Sequence, residues 1–174
     1  MGIAEDELRG LIAMHQRMVF SIALRITGDY ATAEEVAQDV FLELCRSGDR
    51  LASEDHVRHW LRRVATHRAI DALRRKAVRP EDAAEEWIEE EHSDGEARGC
   101  DAGLQARMEE LLRTLPEPMR VAIVLRYQEE MRPDEIARLL GRSVASVKSH
   151  LHQGLTLLRR KAAFTMKEYV RGPV

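Results

Sequence analysis

The sequence has few residues of the kinds that build β-sheets or disulfide frameworks. Aromatic residues make up only 5% of its 174 residues, whereas charged residues make up 33%. This balance is typical of a helix-rich, soluble chain and does not favour a β-protein. The two cysteines, Cys45 and Cys100, are too few for a disulfide framework and suit a reducing cytosol better than secretion. We therefore expect an all-α, cytoplasmic protein.

Signals for membranes, secretion and catalysis are also missing. The first ten residues, MGIAEDELRG, have neither a basic start nor an apolar centre, so we expect no signal peptide. No uninterrupted apolar run approaches the ~20 residues that a membrane span needs, so we expect no membrane insertion. The sequence also lacks an HExxH motif, a glycine-rich phosphate loop and a Ser–His or Cys–His nucleophile pattern. We therefore expect no enzyme, no cofactor and no small-molecule substrate.

A metal-dependent enzyme or sensor is a weaker alternative. His56 and His59 are three residues apart on a predicted helix, and His92 and Cys100 could join them as ligands. No carboxylate–histidine motif supports this grouping, so we predict no metal site.

The net charge of −3 conceals three segments of different charge. Residues 1–77 carry a net charge of 0, residues 78–103 carry −8, and residues 104–174 carry +5. The middle segment also contains one proline and three glycines. We predict a flexible acidic linker there, joining two small helical domains. Because the local patch decides binding, the negative total does not argue against nucleic acid as a partner.

Residues 131–161 contain the clearest motif, a helix-turn-helix. Pro133 suits the first position of a helix, and the acidic Asp134 and Glu135 suit its first turn. Gly141 can adopt the left-handed conformation that ends a helix, and Ser143 can then cap the next one. In this motif the second helix enters the DNA major groove.

The second helix of the motif has two contrasting faces. A stripe at helical spacing should be buried: Val147, Leu151, Leu155 and Leu158. The opposite face carries small or hydrogen-bonding side chains, as base-edge readers must: Ala145, Ser149, His152 and Thr156. Two packed surface helices without a ligand remain the alternative, because short glycine turns are common in helical proteins.

Helical periodicity also dominates the rest of the chain. We predict a first helix over residues 5–27, followed by a turn at Gly28-Asp29. Thr32 and Glu35 fit a capping box at the start of a second helix. Ser53 can cap a third helix over residues 54–76. Two further helices, Leu104–Leu115 and Glu117–Glu130, should precede the helix-turn-helix.

The third helix is strongly basic. Between Arg58 and Lys76 it holds seven basic residues and one acid, Asp71. Such a helix could bind a phosphate backbone and leave rings free for stacking on bases. A solvated charged face is the alternative, and Trp60 is more simply explained as core. Arg68 interrupts the apolar face, so the two halves of the helix should bury different sides.

Two runs of residues match the pattern of a known family. The first run is Gly28–Leu42 followed by Trp60–Arg75, and the second is Leu115–Leu151. They resemble region 2 and region 4, respectively, of the bacterial extracytoplasmic-function sigma factors, group 4 of the sigma-70 family. The resemblance covers nearly the whole chain outside the linker. It implies a protein that docks on core RNA polymerase, at its clamp helices and flap, and directs it to promoter DNA.

The resemblance also implies roles for particular residues. Polymerase binding would fall on Gln38, Asp39 and Phe41. Recognition and opening of the −10 element would involve the loop of residues 47–56 and Arg58, Arg62, Arg63, His67, Arg68, Arg74 and Arg75. Reading of the −35 element would fall on Arg142, Ser143, Ser146, Lys148, Ser149 and His152. Members of this family are commonly held inactive by an anti-sigma factor, which we also expect as a partner.

The sequence departs from the family pattern at several positions. His67 stands where the family usually has Asn, and Gln153-Gly154 stands where it has Arg-Ala. Gly154 within a helix costs roughly 1 kcal/mol relative to Ala. Ser146 and His150 replace the usual Thr and Arg, so we predict a weak intrinsic affinity for DNA. A stand-alone helix-turn-helix regulator is the alternative function.

Overall fold

The all-α fold expected from composition is confirmed. The computed structural model describes residues 5–47, 53–78 and 101–170, with side chains of the last segment described from 103 to 164. These residues form seven α-helices: α1 Glu5–Thr27, α2 Tyr30–Ser47, α3 Glu54–Val78, α4 Asp101–Arg113, α5 Glu117–Ile123, α6 Pro133–Leu140 and α7 Val144–Val170. The centre of the predicted acidic linker, with Trp87 and Cys100, lies outside the described residues.

Helices α1, α2 and α3 pack on one another and are called here the N-terminal helices. Their core is a set of apolar side chains at helical spacing, among them the fully buried Ile22, Val40 and Leu61. Trp60 packs against this core, as expected. Burial of each large aliphatic side chain contributes about 1.5–3 kcal/mol. The apolar stripes read from the sequence therefore explain why these three helices associate.

The turn between α1 and α2 differs from the prediction in one respect. Gly28 lies at the predicted turn and adopts a left-handed conformation, with φ of 72°. However, α2 begins at Tyr30, and its cap is Asp29, whose carboxylate accepts a hydrogen bond of 2.9 Å from the Thr32 amide. The predicted capping box at Thr32 is wrong, because Asp29 offers a stronger acceptor one turn earlier. Lys76 of α3 also donates to Asp29, at 2.7 Å, and so ties α3 to this turn.

Helices α4 to α7 are called here the C-terminal helices. Arg120 of α5 is only 8% exposed. It donates hydrogen bonds to three carbonyl oxygens: that of Arg113 at the end of α4, that of Leu115 between α4 and α5, and that of Ile26 at the end of α1. One buried guanidinium therefore satisfies backbone acceptors from both groups of helices.

The helix predicted over Glu117–Glu130 is interrupted. Its second half, Val124–Gln128, is a π-helical turn in which the Glu129 amide bonds to the Val124 carbonyl at 3.3 Å. Glu130 then adopts a φ of 54°, which is unusual for a residue with a side chain. Such π turns and positive φ values often mark functional positions. Here they turn Gln128 and Glu129 toward the N-terminal helices.

Candidate nucleic-acid and polymerase interfaces

The exposed face of α2 carries the residues predicted to bind polymerase. Gln38 and Asp39 are exposed, whereas Phe41 is half-buried and packs against the core. Leu42 is 55% exposed and lies one helical turn from Gln38. Leu42 is not among the polymerase-binding residues predicted above. The sequence places this apolar residue on the helix face opposite Val40 and Leu44, and that position indicates an exposed apolar contact.

Helix α3 buries two of its sides. One stripe of buried side chains faces α1 and α2, and alanines extend it past Arg68. It consists of Val57, Leu61, Ala65, Ala69 and Ala72. Ile70 lies off this stripe and lines a cleft of about 260 Å³ together with Val121 and Leu140 of the C-terminal helices. The prediction that the two halves of α3 bury different sides is therefore wrong for this stripe, which both halves share, and the second half buries Ile70 in addition. The stripe interrupted by Arg68 in the sequence is continuous in the structure.

The basic residues of α3 divide into two sets. Arg58, Arg63 and Arg75 are exposed, and the structure shows no ion pair for them among the residues it describes. Arg62, Arg68 and Arg74 instead form ion pairs with acidic residues. Only part of the predicted DNA-binding set is therefore open to a phosphate in this conformation.

Three members of the predicted −10 set contact the C-terminal helices. The Arg62 Nε donates to a Glu129 carboxylate oxygen at 2.7 Å, and both side chains are largely buried. Arg74 donates through two nitrogens to both Glu117 oxygens, at 3.1 and 2.9 Å. The His67 Nε2 donates to the Leu139 carbonyl oxygen at 2.9 Å.

Gln128, the last residue of the π turn, joins this contact. Arg25 of α1 donates to the Gln128 side-chain oxygen at 2.8 Å, and Gln128 donates to Glu129 at 3.0 Å. The contact therefore links α1 and α3 with the π turn. No local pattern predicts this contact, because the partners are up to 103 positions apart in the chain.

The helix-turn-helix has the predicted geometry. Pro133 begins α6, Gly141 follows it with φ of 62°, and the Ser143 hydroxyl accepts a hydrogen bond from the Ser146 amide at 3.1 Å. Hydrogen bonds from Arg132 and Arg138 hold the pKa of Asp134 at about 2, so this acid is ionised at the start of α6. Its negative charge interacts favourably with the dipole of α6.

The two faces of α7 also match the prediction. Val147 and Leu151 are buried, and Leu155 and Leu158 are half-buried. Ala145, Ser149, His152 and Thr156 are all exposed on the opposite face. Of the predicted −35 set, Ser146 is half-buried and the others are exposed: Arg142, Ser143, Lys148, Ser149 and His152.

Gly154 has a packing role that the sequence did not reveal. It is buried where α5 crosses α7, and a Cβ placed there would lie 2.7 Å from the Ile123 Cδ1 and 3.2 Å from the Met119 Cβ. The glycine therefore allows the two helices to approach closely. A Cβ at this position would require the Ile123 side chain or α5 itself to shift.

Neither a metal cluster nor a membrane span is found in the part of the chain that the structure describes. Within it, no three His, Cys, Asp or Glu side chains are grouped to hold a metal ion. His92 and Cys100, named above as further ligands, lie outside it. No helix within residues 5–47, 53–78 and 101–170 combines the length and apolar character that crossing a bilayer requires.

Comparison with known proteins agrees with this geometry. Residues 11–79 match the family model for sigma-70 region 2, and residues 105–158 match the model for sigma-70 region 4. The ECF RNA polymerase sigma factor SigE of Mycolicibacterium smegmatis is 30% identical over 152 residues, which cover 86% of this chain and 59% of SigE. The ECF RNA polymerase sigma factor SigW of Bacillus subtilis is 26% identical over 167 residues, which cover 90% of this chain and 89% of SigW.

A solved structure has the same fold. The sigma factor RpoE from Bartonella quintana, crystallised with the anti-sigma factor NepR, aligns with a TM-score of 0.66 and 16% identity. The alignment covers 88% of this chain and 95% of that one. The order of helices and the two matching regions define a two-part, helix-turn-helix transcription protein. The chain belongs to the sigma-70 family, among its extracytoplasmic-function members.

Proposed function

We propose that this protein binds core RNA polymerase and directs it to specific promoters in response to stress or another signal. One observation carries the proposal: both sigma regions are present, in the family's order, and each presents an exposed face suited to its part. In this proposal, region 2 is residues 1–77, the linker is residues 78–103 and region 4 is residues 104–174. Such a factor is not an enzyme, and it works in the cytoplasm with the polymerase.

Polymerase docking belongs to α2. Gln38 and Asp39 offer hydrogen-bonding groups on its exposed face, and Leu42 adds an apolar side chain beside them. Interfaces gain most of their energy from a few such central contacts. We assign to Leu42 the apolar contact that the family resemblance gave to Phe41, because Phe41 is occupied by the core. A further contact with the polymerase flap belongs to the C-terminal helices.

Promoter recognition is divided between α3 and α7. The basic face of α3, from Arg58 to Arg75, would bind the −10 element and favour its unpaired form, since cationic side chains track the backbone of a single strand. Helix α7 would enter the major groove at the −35 element. Its exposed Ser149 and His152 would meet base edges, and Lys148 would meet a phosphate.

An anti-sigma factor is the further proposed partner. The fold it would hold is the one that RpoE adopts in its complex with NepR. The acidic linker would run along the basic RNA exit path of the polymerase, since its charge imitates a nucleic-acid backbone.

The first test is binding to core RNA polymerase. We expect the purified protein to bind core enzyme, and Asp39→Arg to weaken that binding by at least about tenfold because it reverses a charge at the interface. Glu7→Arg reverses an exposed charge on α1 and should bind like the wild type. If Asp39→Arg binds core enzyme as well as the wild type does, the assigned docking face on α2 is excluded. If the wild type itself does not bind core enzyme, the proposed function is excluded.

The alternative function is a stand-alone helix-turn-helix regulator. Such a protein binds its operator without polymerase and cannot restore initiation to core enzyme. Initiation by core enzyme in the presence of this protein therefore distinguishes the two.

A further inference from the structure

The cleft between α3 and the C-terminal helices combines an apolar floor with a polar rim. Its floor includes Ile70 and Val121, which are 8% and 1% exposed, and Leu140, which packs against the same core. The volume of the cleft is about 260 Å³. Since a cavity of about 150 Å³ accommodates benzene, the cleft has room for one substituted aromatic ring.

The two acidic side chains at the rim of the cleft have cationic neighbours on α3. Glu117 accepts hydrogen bonds of 3.1 and 2.9 Å from Arg74. The pKa values of Arg68 and Arg74 are raised mainly by the hydrogen bonds that each donates to a glutamate, and also by the charge of Asp71, which lies one turn from both. Neither acid of the rim therefore faces an anionic ligand without a neighbouring cation.

Two donors on the opposite side of the cleft have no acidic partner. Arg142 is exposed and His150 is half-buried. Within residues 5–47, 53–78 and 103–164, neither side chain has a hydrogen-bond or ion-pair partner. The Arg142 amide donates to the Ala137 carbonyl oxygen at 2.9 Å across the turn at Gly141, which fixes where this side chain leaves the backbone. An unpaired guanidinium beside an apolar floor suits a carboxylate that is carried on an apolar body.

We propose that this cleft binds a small aromatic carboxylate. The ring lies on Ile70 and Val121, and the carboxylate accepts hydrogen bonds from Arg142 and His150. The imidazole of His67, held by a hydrogen bond of 2.9 Å to a backbone carbonyl oxygen, provides a flat wall beside the ring. The site goes beyond the proposed function, because neither polymerase nor DNA is its ligand.

Nuclear magnetic resonance of the full chain, labelled with nitrogen-15, measures the binding of benzoate as the probe. Titration at constant ionic strength should shift the amide signals around the cleft, on α3, α5 and α7, in a saturable way. Benzamide keeps the ring without the charge, and acetate keeps the charge without the ring. Each should bind at least about tenfold more weakly than benzoate, because each lacks one of the two kinds of contact.

Substitution of Arg142 separates the two kinds of contact. Arg142→Gln should weaken benzoate binding at least about tenfold and change benzamide binding much less, because it removes a charge-assisted hydrogen bond and leaves the floor intact. His150→Ala, which keeps the guanidinium, should weaken benzoate binding by a smaller factor. Arg138→Gln is the matched control and should bind benzoate like the wild type, because Arg138 lies one turn before Arg142, is 75% exposed and does not line the cleft.

The same spectra show whether each variant is folded, because a folded chain keeps the dispersion of its amide signals. Benzoate binding no tighter than that of acetate or benzamide would overturn the proposal. Equal benzoate binding by the wild type and Arg142→Gln, or shifts confined to residues away from the cleft, would overturn it too. Failure to bind core polymerase would instead overturn the proposed function, and it leaves the benzoate titration intact.

Discussion

Replacing Arg120 by Met tests whether one buried guanidinium holds the two groups of helices together. Arg120 donates to the carbonyl oxygens of Ile26, Arg113 and Leu115 at 2.7, 2.7 and 3.0 Å. Met fills a similar volume but donates nothing. The carbonyls of Ile26 and Leu115 then stay buried without a partner, because neither lies within a continuing helix.

The expected loss follows from these contacts. Each unsatisfied buried acceptor costs about 1–3 kcal/mol. Burial, and after it the nearby Arg113, lower the pKa of Arg120, so keeping this side chain charged inside the protein is unfavourable. Replacing it by Met removes that unfavourable contribution and so offsets part of the cost. The Nε of Arg120 also lacks a partner, and Met removes that group. We therefore expect a net loss of about 2–3 kcal/mol in the free energy of unfolding.

Urea unfolding followed by far-ultraviolet circular dichroism measures this loss. With a slope of about 2 kcal/mol per molar, the midpoint should fall by about 1–1.5 M. Arg138→Met is the control, since the Arg138 side chain is 75% exposed in its pair with Asp134 and should contribute less than about 1 kcal/mol. Equal, small shifts in both variants would refute the role assigned to Arg120.

Three further predictions concern other parts of the molecule. Gly154→Ala should lower the urea midpoint or leave it unchanged, because overpacking against Ile123 costs about 1–3 kcal/mol and offsets the helix propensity gained. Gly10→Ala, with nothing within 4 Å, should raise it; equal gains in both variants would contradict the packing role of Gly154. Leu42→Ala should weaken core polymerase binding about tenfold, or ~1.4 kcal/mol, whereas Ala at the equally exposed Met14 should not; binding assays that find no difference would remove Leu42 from the interface. Burial is the largest cause of the lowered pKa of His15; Glu54 opposes the shift, and Arg58 adds a smaller lowering. As the pH falls below 6.5, His15 therefore gains a proton in the unfolded chain before it does so in the folded protein. Stability should therefore be full above that pH and decline below it in thermal scans, and His15→Gln should remove this decline; a decline of the same size in the variant would exclude His15 as its cause.

Local features were predictable from the sequence because they depend on neighbours in the chain. The helix-turn-helix follows from Pro133, Gly141 and Ser143, whose conformational preferences act within a few residues. The bounds of α1 follow from its apolar spacing and the glycine after it. Exposure of the reading face of α7 follows from the buried stripe on its other side.

Features that depend on distant partners were missed or misjudged. Asp29 caps α2 in place of Thr32, partly because Lys76 from α3 reaches it. The π turn after α5 has no signature in the sequence, and its effect is seen only where Glu129 meets Arg62. The use of −10 residues as internal contacts was likewise invisible, because spacing along the chain cannot show which charges meet in space.

The roles assigned to α2, α3 and α7 remain predictions that rest on family resemblance and exposed position. They share one consequence, which is that core polymerase starts transcription at defined sites only when this protein is present. The most direct measurement is therefore sequencing the 5′ ends of transcripts made by core enzyme with this protein on fragmented genomic DNA. We expect a discrete set of start sites that share two upstream sequence elements and vanish without the protein. Unchanged or scattered start sites, with the protein shown to be folded, would contradict it.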